Sequence, residues 1–189
     1  MKEKEFLKNY FKDFSNLIKF DDQVIEKLLL TKKIFLDTNQ DGKKIMVFGN
    51  GGSAAIANHF SVDLTKNAKV RCTNYNESDL ITCFSNDFGY EKWVEKTIDF
   101  YGDKGDALVI ISASGKSKNV VNGCKAAKNK EFRSIITLTG HDKDNPVSKL
   151  GDVNFNVNSK AYNHIENAHQ ILLLSLVDLI IGKSEYLPN

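Results

Sequence analysis

Three short runs in this chain, KKIMVFG, ALVIIS and SIITLTG, are apolar at consecutive positions and not at alternate ones. A strand of that kind has both faces buried, which is the condition of parallel strands lying between two layers of helices. Segments with helical periodicity separate the runs, at 53–66, 90–101, 117–129 and 162–181. VRCTNY, LITCFSND and VNFNVN read as the remaining strands. Strand and helix in alternation predict a doubly wound α/β domain of three layers, helices on both faces of a parallel sheet.

The first forty residues differ. Phe6, Tyr10, Phe14 and Leu17, then Val24, Leu28, Ile34 and Phe35, fall at helical spacing, with a break near Phe20-Asp21-Asp22 where an aspartate suits an N-cap. Two amphipathic helices are predicted, and their apolar faces need either the following domain or a second copy of the chain. With two prolines and no low-complexity linker, residues 1–189 read as one domain with this helical segment at its start.

Charge narrows the partners. There are 26 basic and 24 acidic side chains, mixed along the sequence, so no basic stripe is available for nucleic acid. The opening MKEKEFLKNYFKDF has no signal-peptide core, and no uncharged apolar run reaches the roughly 18–20 residues of a membrane span, so the expectation is a cytoplasmic protein with no membrane partner. Cys72, Cys83 and Cys124 are odd in number and widely spaced, which predicts reduced thiols in or near the core.

In open parallel sheets ligands gather beyond the C-terminal strand ends. Here those positions hold Asn50-Gly51-Gly52-Ser53, then Ser85-Asn86-Asp87, then Ser112-Ala113-Ser114-Gly115-Lys116-Ser117, then 137–140. In VFGNGGSAAIANHF the glycines admit close backbone approach and the following helix offers unpaired N–H groups, so an anion at this turn is one reading and an ordinary strand-to-helix turn is the other. ISASGKS places three hydroxyls around a glycine at a second strand end, a set of donors suited to a phosphate monoester, with Lys116 able to add charge. The alternative for any one serine is helix capping. Neither loop has P-loop spacing, and GNGGSA lacks the GxGxxG spacing, so no nucleotide cofactor is expected.

Through NGGSAAIANHF, FSNDFGYE, ISASGKSKNV, ITLTG and HIENAHQILLLSLVDLI, in that order over residues 4–182, the chain resembles the sugar isomerase (SIS) domain family and, within it, the phosphoheptose isomerases. The resemblance implies a five-stranded parallel sheet, a homotetramer with sites at subunit interfaces, and a phosphosugar substrate. It places the phosphate in the loop of Ser112, Ala113, Ser114 and Ser117, and the sugar against Asn50, Gly51, Gly52, Ser53, Asn86 and Asp87. It further implies aldose–ketose isomerisation through an enediol, in carbohydrate (heptose) biosynthesis for lipopolysaccharide or capsule.

The same resemblance implies catalytic or zinc-binding groups on two helices. They map to His59 and Asp63, one turn apart on one helix face, and to Glu166 on the last helix, so that Asp63 is the candidate catalytic base, Glu166 a second catalytic acid–base or substrate-binding group, and His59, Asp63 and Glu166 the candidate zinc ligands. Departures accompany the match: aspartate stands at 63 where the family has glutamate, glutamate at 166 where it has glutamine, and Leu174 where it has a histidine. His169 is the nearest other imidazole on that helix; His141 and His164 are expected to face solvent. These departures keep a second reading in view, a non-catalytic SIS module that binds a phosphosugar or scaffolds another protein.

Overall fold

The computed structural model describes residues 2–186. Five strands, β1 (Ile45–Gly49), β2 (Cys72–Thr73), β3 (Ala107–Ser112), β4 (Ser134–Thr139) and β5 (Val153–Asn156), form one fully parallel sheet in the order β2-β1-β3-β4-β5. Every residue of β1, β3 and β4 is buried, as continuous apolar runs require.

The period of two divides these strands cleanly between two cores. Ile45 and Val47 point to one face, where α2 (Asp22–Gln40), α3 (Gly52–Lys66) and α7 (Tyr162–Ile181) cover them with Phe35, Phe60, Leu64, Leu172 and Leu176. Met46 and Phe48 point to the other, under α5 (Trp93–Tyr101) and α6 (Lys118–Asn129), where Trp93, Ile98, Val120 and Cys124 meet them. α4 (Ser78–Phe88) packs on this second core through Leu80, Ile81 and Phe84.

The N-terminal helices form as the spacing predicts. Asp21 caps α2 by accepting from the Val24 N–H at 3.0 Å, and α2 buries Thr31, Phe35 and Thr38 against the domain. α1 (Lys2–Leu17) buries none of its residues, leaving Phe6 and Phe11 each 64% exposed.

Three expectations are corrected. LITCFSND is not a strand but most of α4: Leu80, Ile81 and Phe84 recur at helical spacing and pack on one side, while Cys83, Asn86 and Asp87 stay exposed. Cys83 therefore lies outside the core, unlike the buried Cys72 and Cys124. His164 is half-buried, its ring 4.3 Å from that of Tyr10, and His141 is half-buried against Tyr162; neither faces solvent freely. α7 is long and apolar enough by length and composition to cross a membrane, yet Ile165, Ala168, Leu172, Leu173, Leu176 and Val177 lie buried in the domain, which accounts for its apolarity.

Candidate active site at the switch point of the sheet

From β1 the chain crosses to β2 on one side, and from β3 it proceeds to β4 on the other. The crevice between the ends of β1 and β3 is thus the topological switch point of the sheet, where ligands bind in open α/β folds. Gly49 pairs with Ile111 at this end, so the Asn50–Ser53 turn and the Ser112–Ser117 loop leave the sheet side by side.

Helix α3 starts at Gly52 behind Gly51, whose φ of 55° is the left-handed conformation that glycine adopts without strain. Gly52 is required for a different reason. A Cβ there would come within 2.8 Å of Glu166 Oε1 and 2.7 Å of its Cδ, so the Glu166 carboxylate of α7 rests directly on the first residue of α3. An acidic group is favoured at this helix end by the dipole and the free N–H groups. A carboxylate of the chain itself thus stands at this turn, and a phosphate placed there would meet like charge.

The Ser112–Ser117 loop is shaped for close approach. Gly115 has a φ of 63°, and a Cβ on it would collide with Asn145. Ser112 and Ala113 are buried and Ser114 and Ser117 half-buried. Ser117 occupies the N-cap position of α6, yet its hydroxyl makes no capping hydrogen bond, and the Ser114 hydroxyl accepts from the Lys116 N–H at 3.2 Å. Capping thus does not account for Ser117. Lys116 is drawn outward into an ion pair of 3.1 Å with Asp142, whose carboxyl it holds below the usual range.

Along α3, Gly52, His59 and Asp63 fall seven and eleven residues apart, on one stripe of the helix at 3.6 residues per turn. His59 Nε2 lies 3.3 Å from Asp63 Oδ2, the imidazole 49% and the carboxylate 24% exposed. The facing stripe of α7 carries Glu166 at Gly52 and, one turn on, Gln170, whose amide reaches His59 Nδ1 at 3.4 Å. Asn67 donates to the other oxygen of Asp63 at 3.3 Å. By helical rise Asp63 stands about 16 Å along α3 from Gly52.

The candidate zinc ligands divide accordingly: His59 and Asp63 are together, whereas Glu166 lies against Gly52. Among the described residues no three His, Cys, Asp or Glu side chains gather as a group able to hold a metal ion. With two donors together and a glutamine amide on the second nitrogen of His59, the residues of one chain do not fit a zinc ion, and no chemical step is drawn through one.

Leu174 is half-exposed in a groove of about 390 Å³ with Phe14, Gln170, Ile171 and Asp178. No imidazole replaces it. His169 is fully buried with Nε2 3.1 Å from the Thr139 carbonyl, and burial pushes its pKa down to about 4.

Asn86 and Asp87 sit exposed on the last turn of α4, hydrogen-bonded to each other at 2.9 Å. None of the hydrogen bonds among the described residues joins them to the turn or to the serine loop. The link from this segment comes from Tyr90, whose hydroxyl donates to Asn50 Oδ1 at 3.0 Å. Asn50 is also paired reciprocally with Asn119 of α6, at 3.0 and 2.8 Å. Tyr90, Asn119 and Gln170 adjoin the candidate residues and were not singled out from the sequence, although each lies within a motif quoted for the family resemblance, FSNDFGYE, ISASGKSKNV and HIENAHQILLLSLVDLI. A cavity of about 830 Å³ lies elsewhere, between the α1–α2 turn and edge strand β5, and none of these residues lines it.

The sequence model of the SIS domain family matches residues 9–140. The phosphoheptose isomerase of Aliarcobacter butzleri is 31% identical over 180 residues, covering 92% of this chain and 94% of that protein. That of Glaesserella parasuis is 34% identical over 166 residues, covering 82% and 85%. Among solved structures, the phosphoheptose isomerase of Neisseria gonorrhoeae superposes with a TM-score of 0.86 at 29% identity, over 94% of this chain and 98% of that one. A five-stranded parallel sheet with its glycine turn and serine loop at the switch point, together with a family match over most of the chain, places this protein in the SIS domain family, among homologues of the phosphoheptose isomerases.

Proposed function

We propose that this chain is a phosphosugar aldose–ketose isomerase of the phosphoheptose type, acting on sedoheptulose 7-phosphate or a close relative. The observation that carries the reading is the convergence of a hydroxyl-lined anion seat, the Ser112–Ser117 loop, with a carboxylate, Glu166, at the adjacent turn of the same crevice. The relatives' names and the coverage of their chains support the choice of substrate.

Isomerisation needs a proton carried between C1 and C2 and a second moved between their oxygens. Glu166, poised at the turn beside the phosphate seat, fits the carrier on carbon. Asp63, oriented by His59 and Asn67, stands about 16 Å along α3 from Gly52, too far to share C1 and C2 with Glu166 of the same chain, and fits the second acid–base group only where a neighbouring subunit brings it to the crevice. Backbone N–H groups of the turn are suited to steadying the enediolate oxygen. Asn86 and Asp87 meet a sugar only if α4 moves or the site of a neighbouring subunit is completed by them.

A homotetramer belongs to the same reading. α1 packs on its own chain only through half-buried residues such as Tyr10, Phe14 and Leu17 while exposing Phe6, Leu7 and Phe11, an apolar face suited to other subunits. A cytoplasmic place in heptose biosynthesis, for lipopolysaccharide or capsule, follows the same homology. The test is incubation of the purified protein with sedoheptulose 7-phosphate in deuterated water: isomerisation with deuterium appearing at C2 of the aldose supports the reading, and no conversion above background defeats it. Binding of the sugar phosphate with no conversion would instead favour a non-catalytic SIS module, the reading that Leu174 and the shortened Asp63 motivate.

A further inference from the structure

The turn after β1 and the loop after β3 lead into α3 and α6, which lie on opposite faces of the sheet, so beyond the last strand pairing little in the backbone ladder holds them at a set distance. Among the described residues the side-chain hydrogen bonds across this gap are those of the Asn50–Asn119 pair. Asn119 is 2% exposed, and its Oδ1 also accepts the Val120 N–H at 2.9 Å, so its amide is fixed at the start of α6. Asn50 Oδ1 receives two donors, Asn119 Nδ2 at 2.8 Å and the Tyr90 hydroxyl at 3.0 Å, which is the full capacity of a carbonyl oxygen. Asn50 Nδ2 gives one proton to Asn119, and its second remains for a ligand.

We propose that Asn119 and Tyr90 are positioning residues of the site: together they lock the Asn50 amide in one orientation, fix the width of the crevice between the turn and the serine loop, and present the remaining Asn50 N–H to a sugar hydroxyl. The inference rests on the phosphosugar reading above. It also assigns Tyr90, 55% exposed beside the crevice, as the tie between the α4 segment and the site. A lock of this kind acts on the sugar and not on the phosphate, which the serine loop holds independently.

Calorimetric titration of the full chain with sedoheptulose 7-phosphate, and separately with inorganic phosphate, tests this. Tyr90→Phe removes only an exposed hydroxyl and leaves the fold unperturbed; Asn119→Ser keeps a small polar group at the start of α6 but cannot span to Asn50. Each is expected to weaken sugar-phosphate binding about two- to tenfold, the worth of one neutral hydrogen bond, with inorganic phosphate affinity unchanged. Because both donors act on one oxygen, the double variant should lose less than the product of the single losses. Sugar-phosphate affinity unchanged in both single variants, equal weakening toward both ligands, or strictly multiplicative losses would each overturn the proposal. Failure of the unsubstituted protein to bind the sugar phosphate would overturn the phosphosugar reading itself, and this one with it.

Discussion

Replacing Gly52 by alanine separates stability from catalysis in a way that the contact between α3 and α7 makes quantitative. Gly52 opens α3 and does not have a positive φ, so alanine is compatible with its backbone and gains up to about 1 kcal/mol in helix propensity. The nearest atoms to the new methyl are the tip of Glu166, with Cδ at 2.7 Å and Oε1 at 2.8 Å. An ordinary contact is near 3.5 Å or beyond, so the carboxylate must withdraw by about 1 Å, which a flexible glutamate does at little cost. A misplacement of about 1 Å in a catalytic group is worth on the order of a hundredfold in rate. The expectation is a melting temperature equal to or up to about 4 °C above that of the parent, with kcat for sedoheptulose 7-phosphate down roughly a hundredfold. Turnover within about threefold of the parent would refute the placement of Glu166 at the reacting carbons, and a melting temperature that falls along with activity would refute the claim that the methyl disturbs only a side-chain tip.

Other outcomes follow from the same contacts. Ser114→Ala should weaken sugar-phosphate binding by roughly 1.5–3 kcal/mol in titration calorimetry, since the hydroxyl is assigned to a charged group. Glu166→Gln should lower kcat by about 10²–10⁴, and Asp63→Asn should lower it too while the Kd of the sugar phosphate stays within about threefold; loss of affinity instead of rate would reverse the assigned roles. His169 has a folded pKa of about 4 against an ordinary value of 6.5, so the unfolded chain takes up a proton that the folded chain refuses as pH falls from 6.5 toward 4. Denaturant unfolding should show stability declining through that window by about 3 kcal/mol, and a neutral replacement, His169→Gln, should flatten this component of the decline. In the native protein only Cys83 should react readily with a thiol reagent, because burial raises the Cys72 thiol and pushes that of Cys124 up to about 12.

The sheet was legible because its central strands are apolar on both faces, a pattern that few alternatives satisfy. LITCFSND misled because a short run rich in β-branched and aromatic residues fits a buried strand and a helix face equally; what decides is that Leu80, Ile81 and Phe84 all find the second core from one side of a helix. The glycine turn and serine loop announced themselves through local composition. Their lock did not, because Asn50 meets Asn119 across 69 residues of sequence and Tyr90 across 40. The seating of Glu166 on Gly52 was equally hidden: nothing in either segment alone shows that α7 delivers a carboxylate to the start of α3.

A crystal structure of the protein with sedoheptulose 7-phosphate bound tests the assignment of the site most directly. The account predicts phosphate oxygens within hydrogen-bonding distance of the Ser112, Ser114 and Ser117 hydroxyls or their backbone N–H groups, with the sugar running past Asn50 and the Glu166 carboxylate facing C1 and C2. A phosphate seated on the Gly52 end of α3 with Glu166 displaced, or a sugar lodged in the cavity beside β5, would contradict it.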